Sequence, residues 1–416
     1  MQPQGKAKAA HSRGLLSVMK LGKFWRVAPS DVRRVRISDD SVMSLFFGTR
    51  LQPVRAGQKP GLPPIPPTAM PCAVADTRII QAQDDDMKEA VREAAALLAA
   101  GEIVALPTET VYGLGADAFD PAAVARVFEA KERPSFDPLI VHVSSVTQLA
   151  EVAVIPQEIE ETVHKLISAF WPGPLTLVLP KTPQVPDIVT SGQPTVAVRQ
   201  SANKVFRAIG KELGRPIAAP SANRFGRISP TSAGAVMKEL SGRIPLIVDA
   251  GACRDGLEST IIRIDPGEKR PEIHILRPGP VTKKELQNFG RVIVEKKRLI
   301  DAPEAPGQLA SHYAPVTPLL MFDRPQDFRP QPGKRYGLLS YKEDPKAGYL
   351  GLHDWAAVES LSPGSGKLPE AAVRLFHVMR TLDEAGLDFI VAEPVSDVGL
   401  GQAIMDRLRR AAAATH

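Results

Sequence analysis

The chain has 416 residues, 44% of them hydrophobic and 24% charged, which is typical of a soluble globular protein with two or three domains. Its two cysteines, Cys72 and Cys253, exclude a disulfide framework and a cysteine-based zinc site, and no apolar run approaches the roughly 18 residues of a membrane span. The net charge of +6 arises in residues 1–69, which contain 12 Lys and Arg against 3 Asp and so carry +9; the remainder carries −3, which weakens any argument from overall basicity to nucleic-acid binding.

Residues 1–75 are predicted to be a basic, proline-rich extension without regular structure. Seven prolines lie between Pro53 and Pro71, and proline disfavours both helix and sheet. Three interpretations stay open: a translated upstream region with Met70 as the natural start, an organelle transit peptide, or a basic arm that binds RNA.

Residues 101–143 predict a β-α-β unit. The apolar run 103–106 is a candidate buried strand, and a polar turn at 108–110 follows it. Glycines 113 and 115 come next, and glycines after a strand commonly make the turn. A helix is predicted over residues 122–131 and a second strand over residues 139–143. Ligands of such units bind at the strand ends.

Helices and strands continue to alternate up to residue 276. Further helices are predicted over residues 87–100, 158–170, 203–213 and 231–240, and further strands over residues 176–179, 195–199, 217–219, 246–249, 259–264 and 272–276. This alternation predicts a mixed α/β domain built on a twisted sheet.

A linker and a smaller α/β domain are predicted after residue 298. Strands at 335–340 and 388–392 and helices at 368–385 and 401–412 indicate a small, doubly wound, Rossmann-like unit. The predicted organisation is an extension over residues 1–75, a larger α/β domain over 76–298, a linker over 299–318 and a C-terminal α/β domain over 319–416.

Several predicted strand ends carry residues that can bind a ligand: Thr110, His142, Arg199, Ser221 with Asn223, Ser259 and Arg277. Each has a structural alternative: a helix cap for Ser221 and Ser229, a hydrogen-bonded core histidine for His142, and a surface ion pair for Arg277. Because strand ends on one side of a sheet converge, the set predicts a cationic, hydroxyl-lined cleft. Such a cleft suits a polyphosphate and a small carboxylate. The chain has no P-loop motif for a nucleotide.

Over about residues 76–318 the chain resembles the YrdC-like threonylcarbamoyl-AMP synthases. The motifs that carry the resemblance are, in chain order, PTETVYGLGADAFD, KERP, PLIVHV, WPGPLT, TVAVR, IAAPSAN, SPT, ESTII, LRPGP and HYAP. The linker and C-terminal domain resemble the long form of the family. The resemblance implies a YrdC-like mixed sheet with flanking helices, and a nucleotidyltransferase that makes L-threonylcarbamoyl-AMP from L-threonine, bicarbonate and ATP. Pyrophosphate is released, and the product serves threonylcarbamoyladenosine modification of tRNA.

The resemblance also implies roles for residues at matching positions. L-threonine would be bound by Thr110, His142, Arg199, the backbone at Ala219, and Ser259. ATP would be bound by Arg133, Asp137, Thr195, Ser221, Ser229, Arg277 and Tyr313. The residues assigned to the chemistry are Lys131, Arg133, Ser221 and Asn223. Tyr313, in the linker, would close over the nucleotide and exclude water.

The implied reaction joins two anions, so cations must offset their repulsion. Lys131, Arg133 and Arg277 would do so together with Mg²⁺ on the ATP phosphates, which is the expected cofactor; no protein metal site is predicted. Where the family usually has Asn or Lys, this chain has Asp137. Its carboxylate would repel a triphosphate, so Asp137 either turns away from the nucleotide or helps to bind Mg²⁺.

Two alternatives remain. A double-stranded RNA-binding module without catalysis would use a concave basic surface, but the charge of −3 after residue 69 opposes it. A carbamoyl-transfer domain of the hydrogenase-maturation type would need cysteine-rich zinc motifs, which two cysteines cannot supply. The expected partners are therefore the substrates and the downstream tRNA threonylcarbamoyl-transfer machinery. Direct tRNA binding has little support, no membrane partner is expected, and the expected location is cytoplasmic.

Overall fold

The computed structural model describes residues 17–21, 24–28, 35–36, 76–83, 86–294, 306–307 and 312–415. The chain divides into two units, Met1–Thr68 and Ala69–His416. In the first unit, β1 (Ser17–Leu21), β2 (Phe24–Ala28) and β3 (Val35–Arg36) form an antiparallel sheet in that order. The prediction of no regular structure therefore does not hold for these strands, whose valines and aromatic residues favour β-structure. The rest of residues 1–75, with the proline-rich stretch and Cys72, lies outside the described residues.

Eleven strands of the second unit form one mixed sheet. They are β4 (Arg78–Gln81), β5 (Val104–Leu106), β6 (Gly113–Asp117), β7 (Ile140–His142), β8 (Leu175–Pro180), β9 (Thr195–Arg199), β10 (Ile217–Ala218), β11 (Leu246–Asp249), β12 (Thr260–Asp265), β13 (Glu272–Arg277) and β14 (Arg291–Val294). Across the sheet their order is β14-β13-β12-β8-β9-β7-β10-β6-β5-β11-β4.

Helices cover both faces of this sheet. They are α1 (Met87–Ala99), α2 (Pro121–Lys131), α3 (Leu149–Val152), α4 (Glu160–Phe170), α5 (Asp187–Thr190), α6 (Lys204–Leu213), α7 (Ala233–Leu240) and α8 (Lys283–Leu286). Leu98 of α1 and Phe206 of α6 belong to one apolar cluster, and Val127 of α2 and Leu166 of α4 belong to another. Alternate residues of β5 enter the two clusters, as expected for a strand buried on both faces. The predicted α/β fold class is confirmed.

The predicted strand at 103–106 is present as β5, but it is not the strand that leads into α2. Residues 113–117, for which no strand was predicted, form β6, which pairs antiparallel with β5. Helix α2 connects β6 to β7, and β10 pairs antiparallel with both of these strands from a position between them. Gly115 shows why glycine occurs within a strand here, because a Cβ at this position would lie 2.8 Å from Cδ1 of Leu106. The glycine provides space for a neighbouring side chain rather than a turn.

The C-terminal domain contains a four-stranded parallel sheet. Its strands are β15 (Leu319–Met321), β16 (Tyr336–Ser340), β17 (Ala357–Ser360) and β18 (Phe389–Ala392), in the order β15-β18-β16-β17. Helices α9 (Leu368–Asp383) and α10 (Gly401–Ala412) share an apolar cluster on one face. An aromatic cluster that includes Phe328, Tyr336 and Trp355 covers the other face. The sheet is therefore not doubly wound, because the connections that cross this second face contain only 3₁₀ turns.

The larger domain and the C-terminal domain share apolar packing. Val111, Ile228 and Leu257 of the larger domain belong to the same cluster as α9 and α10. Gly256 has a φ of +69°, and a Cβ added there would lie 2.4 Å from Cα of Val373 in α9. Glycine at this position therefore permits the close approach of the helix.

Among the described residues, no helix combines the length and the apolar character needed to cross a membrane.

Candidate active site

A cavity lies where the large sheet meets the linker. Its walls include the segment after β5, the residues that follow α2 and β10, the ends of β9 and β13, and linker residues 306–307 and 312–313.

The mixed directions of the strands explain how these segments meet. Arg277 ends β13, whereas Ser259 immediately precedes β12. The two strands are antiparallel, with Arg277 opposite Ile261, so the end of one lies beside the start of the other. The sequence predicted that strand ends on one side of the sheet converge to form the cleft. In the structure, both carboxyl and amino ends of strands line the cavity.

Arg199 is fixed on one side of the cavity by partners within the larger domain. Its Nη2 lies 2.7 Å from Oε1 of Glu109, Nη1 donates to Oγ1 of Thr110 over 3.0 Å, and Nε donates to the carbonyl of Gly173. Ser201 donates to the second Glu109 oxygen over 2.5 Å. Burial alone would raise the pKa of Glu109, but Arg199 and these hydrogen bonds lower it to about 2. The Glu109 carboxylate is therefore ionised at neutral pH.

His142 lies at the end of β7 and is buried against Phe206, with 4.7 Å between ring centroids. Burial, with the nearby Arg199 cation, lowers the pKa of His142 to about 3. The imidazole is therefore neutral near pH 7. Its Nδ1 atom has no hydrogen-bond partner among the described residues. His142 is thus not a fully hydrogen-bonded core histidine, and Nδ1 can bond to a ligand in the cavity.

Arg277 is buried and binds the segment before β12. Its Nε and Nη2 groups donate to the Ser259 carbonyl over 3.1 and 3.0 Å, and Nη2 also reaches Oγ of Ser259 over 3.1 Å. A further bond, from Nη1 to the carbonyl of Pro306 over 3.3 Å, joins the sheet to the linker. Arg277 is therefore not in a surface ion pair, which was its structural alternative.

Arg133 follows α2, which ends at the left-handed residue Glu132. Its guanidinium donates to the carbonyls of Asp137 and Pro138 over 3.1 and 2.9 Å, and Nη2 lies 2.8 Å from Oδ2 of Asp137. Asp137 is fully buried; burial raises its pKa, and Arg133 opposes that effect. Its carboxylate contacts Arg133 and is not part of the cavity wall.

Lys131 connects α2 to the segment after β10. Its Nζ donates to the carbonyls of Ser221 and Asn223 over 2.6 and 2.5 Å, and the side chain is buried. Asn223 in turn donates to the carbonyls of Arg224 and Arg227, while its own Oδ1 has no hydrogen-bond partner among the described residues. Lys131 therefore holds the backbone that carries Ser221 in the cavity wall.

Tyr313 brings the linker against the cavity. It is buried with a φ of +64°, its ring packs 4.2 Å from that of His312, and its hydroxyl has no hydrogen-bond partner among the described residues. The amide of the next residue, Ala314, donates to the carbonyl of Gly226 over 2.7 Å. The linker is thus joined to the loop that follows β10. Predicted linker residues 299–305 and 308–311 lie outside the described residues.

The comparisons with known proteins agree with this architecture. Residues 96–279 match the family model of Sua5, YciO and YrdC proteins, described as "Telomere recombination", and residues 281–413 match "Threonylcarbamoyl-AMP synthase, C-terminal domain". The chain is 41% identical over 339 residues to the threonylcarbamoyl-AMP synthase of Pyrococcus abyssi, covering 80% of this chain and 97% of that protein. It is 41% identical over 334 residues to that of Bacillus subtilis, covering 77% and 92%. The chain belongs to the threonylcarbamoyl-AMP synthase family.

A solved structure of the family extends this finding to three dimensions. P. abyssi Sua5 complexed with L-threonine matches with a TM-score of 0.70 at 37% identity, covering 82% of this chain and 98% of that one. The predicted resemblance to the long, two-domain form of the threonylcarbamoyl-AMP synthases is confirmed. The relatives favour the enzyme over the RNA-binding module, since they are named as synthases.

The structure brings most of the predicted site residues together. Those that line the cavity are Thr110, Arg133, His142, Arg199, Ala219, Ser221, Ser259, Arg277 and Tyr313. Those outside its wall are Lys131, Asp137, Thr195, Asn223 and Ser229. Thr195 begins β9, the strand that Arg199 ends, which places the two residues about 13 Å apart along the strand. The ligand roles of all these residues stay predictions.

Two acids near the cavity were missed by the sequence reasoning. Glu109 fixes Arg199, and Glu258, which lines the cavity, accepts a 2.5 Å bond from the buried hydroxyl of Ser229. Ser229 therefore does not act as a helix cap; that position before α7 belongs to Ser232. The only signal for the acids was their position beside predicted site residues, in the motifs PTET and EST.

Among the described residues, no group of three or more His, Cys, Asp or Glu side chains could hold a metal ion. Cys253 is a buried free thiol. Asp137 contacts Arg133, and Glu258 contacts Arg407.

Proposed function

We propose that the protein is a nucleotidyltransferase that synthesises L-threonylcarbamoyl-AMP from L-threonine, bicarbonate and ATP and releases pyrophosphate. The observation that carries the proposal is that one cavity is lined by residues predicted for both substrates, with the three guanidinium groups of Arg133, Arg199 and Arg277 in its wall. Membership of the family and the L-threonine complex of a relative support the choice of substrates.

L-threonine is proposed to bind beside Arg199. The ion pair with Glu109 makes this side of the cavity electrically balanced, which suits a zwitterionic amino acid. Thr110, Ser259 and the backbone at Ala219 supply hydroxyl and peptide groups that orient the substrate. Neutral His142 provides a hydrogen-bonding atom without adding charge.

The ATP phosphates are proposed to bind towards Arg133 and Arg277. These side chains are buried and already held by carbonyl groups. A preorganised guanidinium can stabilise developing phosphate charge without reorganising during the reaction. Lys131 contributes by fixing the backbone of Ser221 and Asn223.

The protein then promotes the reaction by positioning the two substrates, and no covalent intermediate forms on the protein. The neutral amine of threonine reacts with bicarbonate to form N-carboxythreonine: a C–N bond forms, and an amine proton leaves with the hydroxide of bicarbonate as water. The new carboxylate attacks the α-phosphorus of ATP, an O–P bond forms, and the bond to the bridging oxygen of pyrophosphate breaks. Tyr313 and the linker exclude water from an anhydride that hydrolyses readily.

Mg²⁺ is proposed to enter the cavity bound to the nucleotide substrate. The ion commonly keeps several waters and binds substrate phosphates rather than an all-protein cage. The product is proposed to pass to the tRNA threonylcarbamoyl-transfer machinery, which needs an activated threonylcarbamoyl donor.

The test is incubation of the full chain with ATP, Mg²⁺ and bicarbonate, with each of the standard amino acids in turn. We expect pyrophosphate in amounts equal to threonylcarbamoyl-AMP, detected by mass spectrometry, with L-threonine alone. Removal of bicarbonate should stop both. Pyrophosphate release that does not depend on threonine, or equal turnover with L-serine and L-valine, would contradict the proposal.

A further inference from the structure

Arg407, on α10 of the C-terminal domain, is a completely buried cation. Charged side chains are almost never fully buried unless they are paired. Burial alone would lower the pKa of Arg407, but its neighbours, Glu258 among them, raise it. The guanidinium therefore remains charged inside the protein.

Arg407 contacts three segments outside its own domain. Its Nε donates to Oε2 of Glu258 over 3.0 Å, and its Nη1 donates to the carbonyl of Pro278 over 2.6 Å. The guanidinium carbon also lies 5.3 Å from the centroid of the Tyr313 ring, within the range of a cation–π contact. One side chain thus joins the C-terminal domain to the larger domain and to the linker.

Each of these contacts adjoins the cavity. Glu258 and Tyr313 line it, and Pro278 directly follows Arg277, which also lines it. The other oxygen of Glu258 accepts from the Ser229 hydroxyl over 2.5 Å. Since Ser229 is the donor of this bond, its hydroxyl proton points towards Glu258. Arg407 therefore fixes the orientation of Ser229 through Glu258.

Tyr313 needs external support to keep its place. A non-glycine residue with a φ of +64° occupies a sparsely populated conformation, which persists only where the surroundings hold it. The cation over its ring and the contact with Phe376 of α9, 5.8 Å between centroids, supply that support from the C-terminal domain.

We propose that Arg407 is a positioning residue by which the C-terminal domain holds the nucleotide side of the cavity, through Glu258, Pro278 and Tyr313. This inference rests on the proposed function and adds a role for the C-terminal domain in it. Removal of the guanidinium should loosen Ser229, Arg277 and Tyr313 together. Arg199 and Thr110, whose described partners lie within the larger domain, should be unaffected.

The test compares Arg407→Met and Arg407→Lys in the full chain. Dissociation constants for ATP with Mg²⁺ and for L-threonine are measured separately by calorimetry, alongside kcat, both KM values and the Tm. For Arg407→Met we expect ATP binding to weaken by about 10–100-fold, the range for loss of hydrogen bonds to charged groups. The dissociation constant for threonine should change less than that for ATP, because Arg199 and Thr110 keep their partners and only Ser259 is bonded to Arg277. Arg407→Lys keeps the positive charge but loses the planar guanidinium group, so its ATP affinity should lie between those of the wild type and Arg407→Met.

Arg409→Gln is the matched control, since Arg409 lies on the same helix but is exposed and paired with Asp397 at the surface; we expect wild-type values. A purely structural role for Arg407 would lower the Tm and kcat with both affinities unchanged, and that result would overturn the proposal. If Arg407→Met does not fold, wild-type ATP affinity in Arg407→Lys overturns it equally.

Failure of the proposed function would appear separately, in the wild-type chain, as threonine and ATP binding without threonine-dependent pyrophosphate. The affinity comparison between variants then still decides the role of Arg407. A wild-type chain that binds neither substrate would overturn both.

Discussion

The two sides of the cavity are built differently. On the Arg199 side, the guanidinium is held by Glu109, Thr110 and Gly173, all within the larger domain. On the Arg277 side, the guanidinium bonds to Ser259 of the larger domain but also to linker residue Pro306, and the wall is completed by Tyr313. One side is thus complete within a single domain, whereas the other also needs the linker.

This difference indicates how the two proposed substrate sites are formed. The proposed threonine site lies inside one domain and can be formed before the nucleotide arrives. The proposed nucleotide site is completed by the linker, whose closure would exclude water from the reacting groups. Variants on the Arg199 side should therefore change threonine binding alone, and variants on the other side should change ATP binding.

The largest effect is expected for Arg133→Ala. This change removes a preorganised cation from the proposed phosphate site, and loss of one such contact commonly costs about 10²–10³-fold in rate. We expect threonine-dependent pyrophosphate release to fall to background, with threonine binding retained in calorimetry. Near-normal turnover would remove Arg133 from the site.

Arg126→Ala is the control for this variant. Arg126 lies on α2, the helix that precedes Arg133, but is half-exposed and paired with Glu102 at the surface. Surface ion pairs contribute little to stability, so its turnover and Tm should match the wild type. A comparable loss in both variants would point to damage of α2 rather than of a phosphate site.

Glu109→Gln should give a smaller, selective effect on the Arg199 side. The amide keeps the size of the side chain but loses the charge that fixes Arg199, and a hydrogen bond to a charged group is worth roughly tenfold or more in affinity. We expect the KM for threonine to rise about tenfold, with the KM for ATP unchanged.

Glu129→Gln, an exposed acid on α2, provides the control for loss of one negative charge and should behave as the wild type. A lower KM for threonine in Glu109→Gln would instead show that Glu109 competes with the threonine carboxylate for Arg199. A change in the KM for ATP alone would contradict the assignment of the Arg199 side of the cavity to threonine.

The sequence predicted the buried strands well because their apolar runs are continuous. Residues 195–199 are one such case, and the predicted bounds match β9. The edge strands β4 and β14 were missed, and most of their residues are exposed or half-buried, so they carry no comparable apolar signal. Strand β6 was missed because its glycines were interpreted as turn residues; their role is to make room for packing across the sheet.

Residue types could be assigned to the site from motifs, but the partners of those residues could not. Neither the Glu109–Arg199 pair nor the contact of Arg407 with Glu258 has a signal in sequence spacing, because the partners are 90 and 149 positions apart and lie on separate elements. Likewise, nothing in the pattern shows that Lys131 bonds to backbone carbonyls. Such contacts depend on tertiary packing, which local patterns do not encode.

The smallest effect is expected for Asp137→Asn, which tests how freely Arg133 can act on the nucleotide. The buried Asp137 carboxylate lies 2.8 Å from the Arg133 guanidinium and so offsets its charge. Asparagine keeps a hydrogen-bond acceptor there but removes the negative charge. The positive charge of Arg133 is then less offset and attracts the ATP phosphates more strongly. We expect the KM for ATP to fall about threefold, with kcat and the KM for threonine unchanged. A higher KM for ATP would show that the main effect of Asp137 is to orient the Arg133 guanidinium, not to offset its charge. An equal change in the KM for both substrates would show that the two sides of the cavity are coupled through this ion pair.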